Sequence, residues 1–312
     1  MKAGTPCLKE ASGRHDMGRF SKPLKVRTMN LKNRISLIAW LFLITSSSHT
    51  SGVAPLPTAS VPMAAINDTS TENDRSDQQP FFDDFNSIDP LVWTFGDYTW
   101  PDAASYQKPS QVTVKHSILT ILASCAPEPV QERKVLTGAL ISKRLFRCGR
   151  FSAKIKNQLV PGLDNCFFLM SPWQAKEWHH QEVDIEFLGK NPSQVQVNVH
   201  KYMDGEGTPQ NGGMLPKLID LGFNSNLNFH VYAIEWLRDR INFRVDDKLV
   251  WTETRNRPDL GLNLYLSNFI VNQDNGWGPG WAGKFDPRSL PASIQIDWVK
   301  YEPLVNGSAA KY

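Results

Sequence analysis

A chain of 312 residues, 41% hydrophobic and 21% charged, has an ordinary globular composition and enough length for one large domain or two small ones around a real core. Its net charge of +3 sits at one end: residues 1–54 hold nine Lys/Arg against two acids, a net of +7, which leaves −4 for the remainder. The basic balance therefore belongs to a terminal segment, and the rest of the chain lacks the electrostatic footprint of a nucleic-acid binder.

In chain order, residues 1–54 read as a leader. Lys25, Arg27, Lys32 and Arg34 precede the apolar run ISLIAWLFLI (35–44), small polar residues follow, and Ala54 ends SGVA at the expected cleavage position. Ten apolar residues span about 15 Å as a helix, roughly half a bilayer's hydrocarbon core, so the segment is expected to be removed during export rather than to hold the protein in a membrane. Met29 gives a more usual leader length than Met1. Residues 55–79 are rich in Pro, Ser, Thr, Asn and Asp without periodic apolar positions, which predicts a disordered linker. With Cys7 lost in the leader, Cys125, Cys148 and Cys166 allow at most one internal bridge and one leftover thiol.

From residue 80 to 303 the pattern is of short β-like runs bounded by turn residues. QVTVKHSILTILA (111–123) and RFSAKIK (150–156) alternate, the second with Phe151, Ala153 and Ile155 on one face. HVYAIEWL (230–237), INFRVDD (241–247), KLVWTET (248–254), LNLYLSNF (262–269) and IQIDWVKYE (294–302) follow, and 304–312 is a tail. No helical period lasts beyond two turns and no internal repeat is present. The domain is predicted to be all-β, a two-sheet sandwich.

One run carries chemistry. HHQEVDIEFLGKN (179–191) places Glu182, Asp184 and Glu186 at i, i+2 and i+4. On a strand these share one face, while Val183, Ile185 and Phe187 point to the core. Three like charges so close raise one another's proton affinity, so at least one acid stays protonated near neutral pH. A protonated acid beside an ionised carboxylate is what retaining glycoside hydrolysis requires, with carboxyls about 5–5.5 Å apart. Cα atoms four residues apart in a strand are roughly 13 Å apart, so both Glu side chains must lean inward over the shorter Asp184. A solvated acidic strand face and a divalent-metal site are the other readings of the bare pattern.

The flanks distinguish them. QEVDIEFLGKNPSQVQVNVH (181–200) closely resembles the catalytic segment of family 16 glycoside hydrolases, above all the bacterial lichenases, which cut mixed-linkage β-1,3-1,4-glucan; plant xyloglucan endotransglycosylases carry a similar segment. FFDDFNSIDPLVW (81–93), ISKRLFRCGRFSAKIK (141–156), GWAGKF (280–285) and IQIDWVKYEP (294–303) extend the likeness over most of the domain. The resemblance implies a β-jelly-roll sandwich of the concanavalin A-like type with a concave sugar-binding cleft. It implies Glu182 as nucleophile, Glu186 as general acid/base and Asp184 as the residue tuning the proton between them. Asp184 and Glu186 are separated by one residue, as in lichenases and xyloglucan enzymes, whereas laminarinases and many agarases carry one residue more, a bulge, so the spacing argues against a laminarinase.

Further positions follow from the same likeness. Asn198 matches an Asn that contacts sugar, and Gln196 and His200 share its parity, although lichenases usually have Tyr at the position of His200. Trp281 matches a cleft tryptophan, and Trp178 and His180, just before the motif, are placed to line the cleft. LSNF (266–269) departs from the family's strand end, with Phe269 or Trp277 as replacements for a displaced aromatic. Asp297 matches a position that in relatives binds a structural Ca²⁺, here an optional ion; no cofactor is implied for catalysis. Taken together these imply a secreted, monomeric, retaining endo-β-glucanase whose partner is a polysaccharide. A transglycosylase acting on β-glucan or xyloglucan and a non-catalytic carbohydrate-binding sandwich remain the alternatives, and the retention of all three acids argues against the second.

Overall fold

The computed structural model describes residues 79–100, 102–172, 180–202, 209–214, 216–274 and 277–303. The leader, the linker through residue 78, the tail 304–312 and Trp178 lie outside the described residues. In chain order the strands are β1 Phe81–Asp83, β2 Trp93–Phe95, β3 Tyr106–Gln107, β4 Val112–Lys115, β5 Ile118–Val130, β6 Arg133–Thr137, β7 Ala139–Ser142, β8 Gly149–Gln158 and β9 Leu163–Met170. They continue with β10 Gln181–Leu188, β11 Gln194–Tyr202, β12 Pro209–Met214, β13 Lys217–Asp220, β14 His230–Trp236, β15 Ile241–Val245, β16 Lys248–Glu253, β17 Asn263–Ile270 and β18 Ala292–Pro303. A short helix, α1, spans Gly278–Ala282. No helix among the described residues is long and apolar enough to cross a membrane.

The strands form the two sheets of a jelly-roll sandwich. One runs β16-β15-β14-β8-β18-β5-β6-β3, with β1 on β18 and β4 on β5; the other runs β12-β11-β10-β9-β17-β7-β2, with β13 on β11. Alternation builds the core between them. Phe151, Ala153 and Ile155 of β8, Tyr232 and Ile234 of β14, and Val183, Ile185 and Phe187 of β10 are buried in one continuous cluster. Two buried asparagines, paired across β9 and β17, tie the sheets together. Asn165 Nδ2 donates to Asn157 Oδ1 (2.9 Å) and to the Ser293 carbonyl (2.9 Å), and Asn268 Nδ2 donates to the Ile121 carbonyl (3.0 Å).

The run 111–123, read as one stretch, is two strands. His116 and Ser117 take φ of 53° and 56°, a two-residue hairpin loop that folds β4 onto β5. Neither residue belongs to the Asn-Gly type that signals such a loop, so alternation alone hides it. Cys148 and Cys166 are free thiols.

Candidate active site

Strand β10 carries the three acids on the outer face of its sheet, and the two-residue period does the sorting: Val183, Ile185 and Phe187 are buried while Glu182 and Glu186 remain partly exposed. Asp184, one bond shorter, is buried between them at 2% exposure. Both ends of β10 are pinned. At the start, the buried Gln181 side chain donates to Asp259 Oδ1 (2.7 Å) and accepts from the Asp259 and Leu260 amides (2.8 and 3.2 Å). Beyond the end, Gly189 packs so closely that a Cβ there would lie 1.8 Å from the Val160 carbonyl oxygen, and Lys190 Nζ donates to the Gly280 carbonyl (2.7 Å) of α1.

Register then aligns the neighbouring predicted residues one by one. Glu182 lies opposite His200, Asp184 opposite Asn198 and Glu186 opposite Gln196. Gln196 Nε2 donates to Glu186 Oε2 (2.5 Å), and its Oε1 accepts from Trp281 Nε1 (3.2 Å), so the α1 tryptophan and the acid share one amide. His180 Nε2 is 2.6 Å from Glu182 Oε2, and His200 Nε2 lies 2.8 Å from Asn198 Nδ2 and 3.3 Å from Asp184 Oδ2. Phe269 and Trp281 both pack against the small cluster of Leu188, Val271 and Ala282, and Trp277, exposed, has its ring 5.3 Å from that of Trp281.

Environment splits the three carboxyls. Burial pushes Glu182 up, but the hydrogen bond and charge of His180 outweigh it and hold the group below its ordinary range, so it is ionised. Burial, joined by the Glu182 charge and opposed by the Gln196 hydrogen bond, pushes Glu186 up to about 8. Asp184 is raised well above its usual value by burial and then by the charges of Glu182 and Glu186. Regarded as an ionised acceptor, Asp184 has no hydrogen-bond donor on either oxygen among the described residues; protonated, it is itself the donor, toward Glu182. Burial lowers His200 to about 4, so its imidazole is neutral, whereas His180 is raised because its bond to Glu182 outweighs its own burial.

Several residues on this face carry no signal that the sequence reading used. Asp164 of β9 is fully buried, raised well above its usual value by burial and then by Glu186, with the weak S–H donor of Cys166 as its polar neighbour. Tyr265 of β17 stacks on Phe168 at 4.7 Å, and Trp100 packs against the same cluster with Tyr98 at 4.9 Å from it. The Glu182 charge reaches both Tyr98 and Tyr265. Tyr265 could have been found from parity, since it alternates with the core residues Leu264 and Leu266; Tyr98 and Trp100 lie in a loop, where no periodicity applies.

Asp297 lies apart from the acids, on β18 of the other sheet, at a break in its register with β8. Its Oδ2 is 2.7 Å from Lys154 Nζ.

A sandwich sheet that exposes an ionised and a protonated carboxyl from one strand, beside amide and aromatic side chains, carries the pair of acids that glycoside hydrolysis uses. Residues 101–300 match the family model for glycosyl hydrolases family 16, and the chain belongs to that family. It is 30% identical to a beta-glucanase of Brevibacillus brevis, over 75% of this chain and 86% of that one. It is 31% identical to a beta-glucanase of Acetivibrio thermocellus, over 72% of this chain and 63% of the longer relative. A crystal structure described as a native glycosidic hydrolase superposes with a TM-score of 0.64 at 28% identity, covering 73% of this chain and 97% of that one.

Proposed function

We propose that the chain is an exported, retaining endo-β-glucanase acting on mixed-linkage β-1,3-1,4-glucan. The observation that carries this reading is the opposite displacement of two carboxyls on one strand face: Glu182 ionised, Glu186 pushed up to about 8. Glu182 attacks the anomeric carbon while Glu186 gives its proton to the departing glycosidic oxygen, leaving a glycosyl-enzyme and a free chain end. Glu186, now a carboxylate, takes a proton from water as that water displaces Glu182 from the sugar. The beta-glucanase relatives and the unbulged Asp184–Glu186 spacing support the substrate class, and the leader-like residues 1–54 support export.

Glu182→Gln tests the assignment. Turnover on barley β-glucan is expected to fall by at least about 10³-fold with an unchanged circular-dichroism spectrum, this carboxylate being a covalent participant. Proton NMR of the first products of the wild-type enzyme should show the β-anomer. Undiminished turnover in the variant, or an α-anomer as the first product, refutes the mechanism. Lengthened products from labelled oligosaccharide acceptors would instead make the enzyme a transglycosylase.

A further inference from the structure

Two histidines flank the nucleophile, and glycoside cleavage by two carboxyls needs neither. His180 sits just before β10, and His200 sits on β11 directly opposite Glu182. One donor atom from each of His180, Glu182 and His200 lies within 4.8 Å of the others. The three side chains are 27%, 19% and 17% exposed, so the cluster is formed by the fold yet open from the face where substrate binds. A tetrahedral zinc centre with bonds of about 2.0–2.1 Å has donor-to-donor edges of roughly 3.4 Å, within reach of small side-chain rotations here.

We propose that His180, Glu182 and His200 form a binding site for one divalent transition ion of the zinc type. Two imidazoles and one carboxylate leave the fourth position to water, a donor set that suits zinc, cobalt, nickel and copper. Magnesium and calcium, which take oxygen donors, are poor fits. The backbone positions are fixed: Glu182 and His200 face each other across a ladder, and the hydrogen bonds of Gln181 hold the chain beside His180. An ion bound here takes up the carboxylate of Glu182. Resting on the function proposed above, the consequence is that zinc and glucan exclude one another, which makes the site an inhibitory one.

The test is calorimetric titration of the full chain with zinc chloride in a non-chelating buffer, with cobalt(II) as the spectroscopic probe. One zinc per chain, no heat from magnesium or calcium, and a visible d–d spectrum of four-coordinate cobalt are expected. His180→Gln, His200→Gln and Glu182→Gln should each weaken zinc by more than about tenfold, since losing even an outer-shell partner costs that much. If either histidine variant fails to fold, Glu182→Gln and the wild-type cobalt spectrum still decide. Absence of zinc heat, or affinity unchanged in the folded variants, overturns the site and leaves His180 as a hydrogen-bonding partner of Glu182 only. These readouts do not depend on hydrolysis, so a chain inactive on every glucan would refute the proposed function without touching the metal site. A β-glucan oligosaccharide that leaves zinc affinity unchanged while still binding would overturn the exclusion.

Discussion

In the proposed mechanism Asp184 governs the proton distribution of the site, because it is the one acid of the three that is buried and too short to reach the opening. Held protonated, it donates to Glu182 and helps keep the nucleophile ionised. Asparagine keeps a donor at that place, whereas alanine removes it. Asp184→Asn should therefore leave the acidic limb of the kcat/KM profile in place, and Asp184→Ala should move that limb upward by about one pH unit as Glu182 recovers proton affinity. In all forms that retain Glu186 the alkaline limb should fall near 8, where that acid loses its proton. Profiles measured on β-glucan from pH 3 to 10 decide this; superimposable acidic limbs for the alanine variant and wild type would refute it. At this scale the sequence was readable where a strand alternates. The parity of 182, 184 and 186, and of 196, 198 and 200, put six side chains side by side as the register shows. Asp164 was not readable, since it stands in LDNCFFLM, where every residue is buried and no alternation survives.

Strand β9 shows the same effect for a whole element. One of its faces enters the core and the other packs beneath the acids and Tyr265, so its run resembles neither an amphipathic strand nor a helix, and it escaped the list of predicted strands. The β4–β5 hairpin escaped because its loop residues are atypical, and α1 because five residues in a glycine-rich loop carry no period. By contrast β8, β14, β15, β16, β17 and β18 appear within two residues of their expected bounds at each end, each having an alternating or bounded apolar run. Loops with atypical residues also mark stability left unused. Gln131 and Glu132 join β5 to β6 with φ of 44° and 66°, in a region that favours Asn and Gly. Replacing the pair by Asn-Gly should stabilise the protein by about 1 kcal/mol, read as a melting temperature higher by about 2–4 °C. Gly189→Ala works in the other direction. Its Cβ would meet the Val160 carbonyl oxygen at 1.8 Å, so a loss of about 3 kcal/mol or more is expected in urea unfolding, together with lower activity as the end of β10 shifts. Equal stability of Gly189→Ala and wild type would mean that this close approach does not position the strand.

For the molecule as a whole, the site and the stability of the fold are coupled through protons. Asp164, Asp184 and Glu186 all have folded-state proton affinities raised above their ordinary values by burial first. A carboxyl of this kind contributes stability below its unfolded value, near 4. That contribution is lost as pH rises toward the folded value, at up to about 1.4 kcal/mol per pH unit for each group that titrates independently. Glu182 has the opposite sign: its affinity is lowered by its hydrogen bond with His180, so its contribution is present above the unfolded value and disappears in acid. The carboxyls facing one another share charge, so their combined slope is smaller than three independent groups would give. The expected result is a midpoint of urea unfolding that falls steadily from pH 5 to pH 8. Asp164→Asn, which replaces a protonated acid by a neutral group of the same shape, should flatten that fall by at most about 1.4 kcal/mol per pH unit. Activity depends on the same proton, since Glu186 can serve as an acid only while it holds one. In the wild-type protein stability should therefore fall before turnover does, declining up to about pH 8 and levelling off as turnover begins to fail, and in Asp164→Asn the stability slope should change while the limb set by Glu186 stays near 8. A variant whose unfolding midpoints parallel those of the wild type at every pH would show that the buried Asp164 does not titrate with folding, and would confine the coupling to β10 itself.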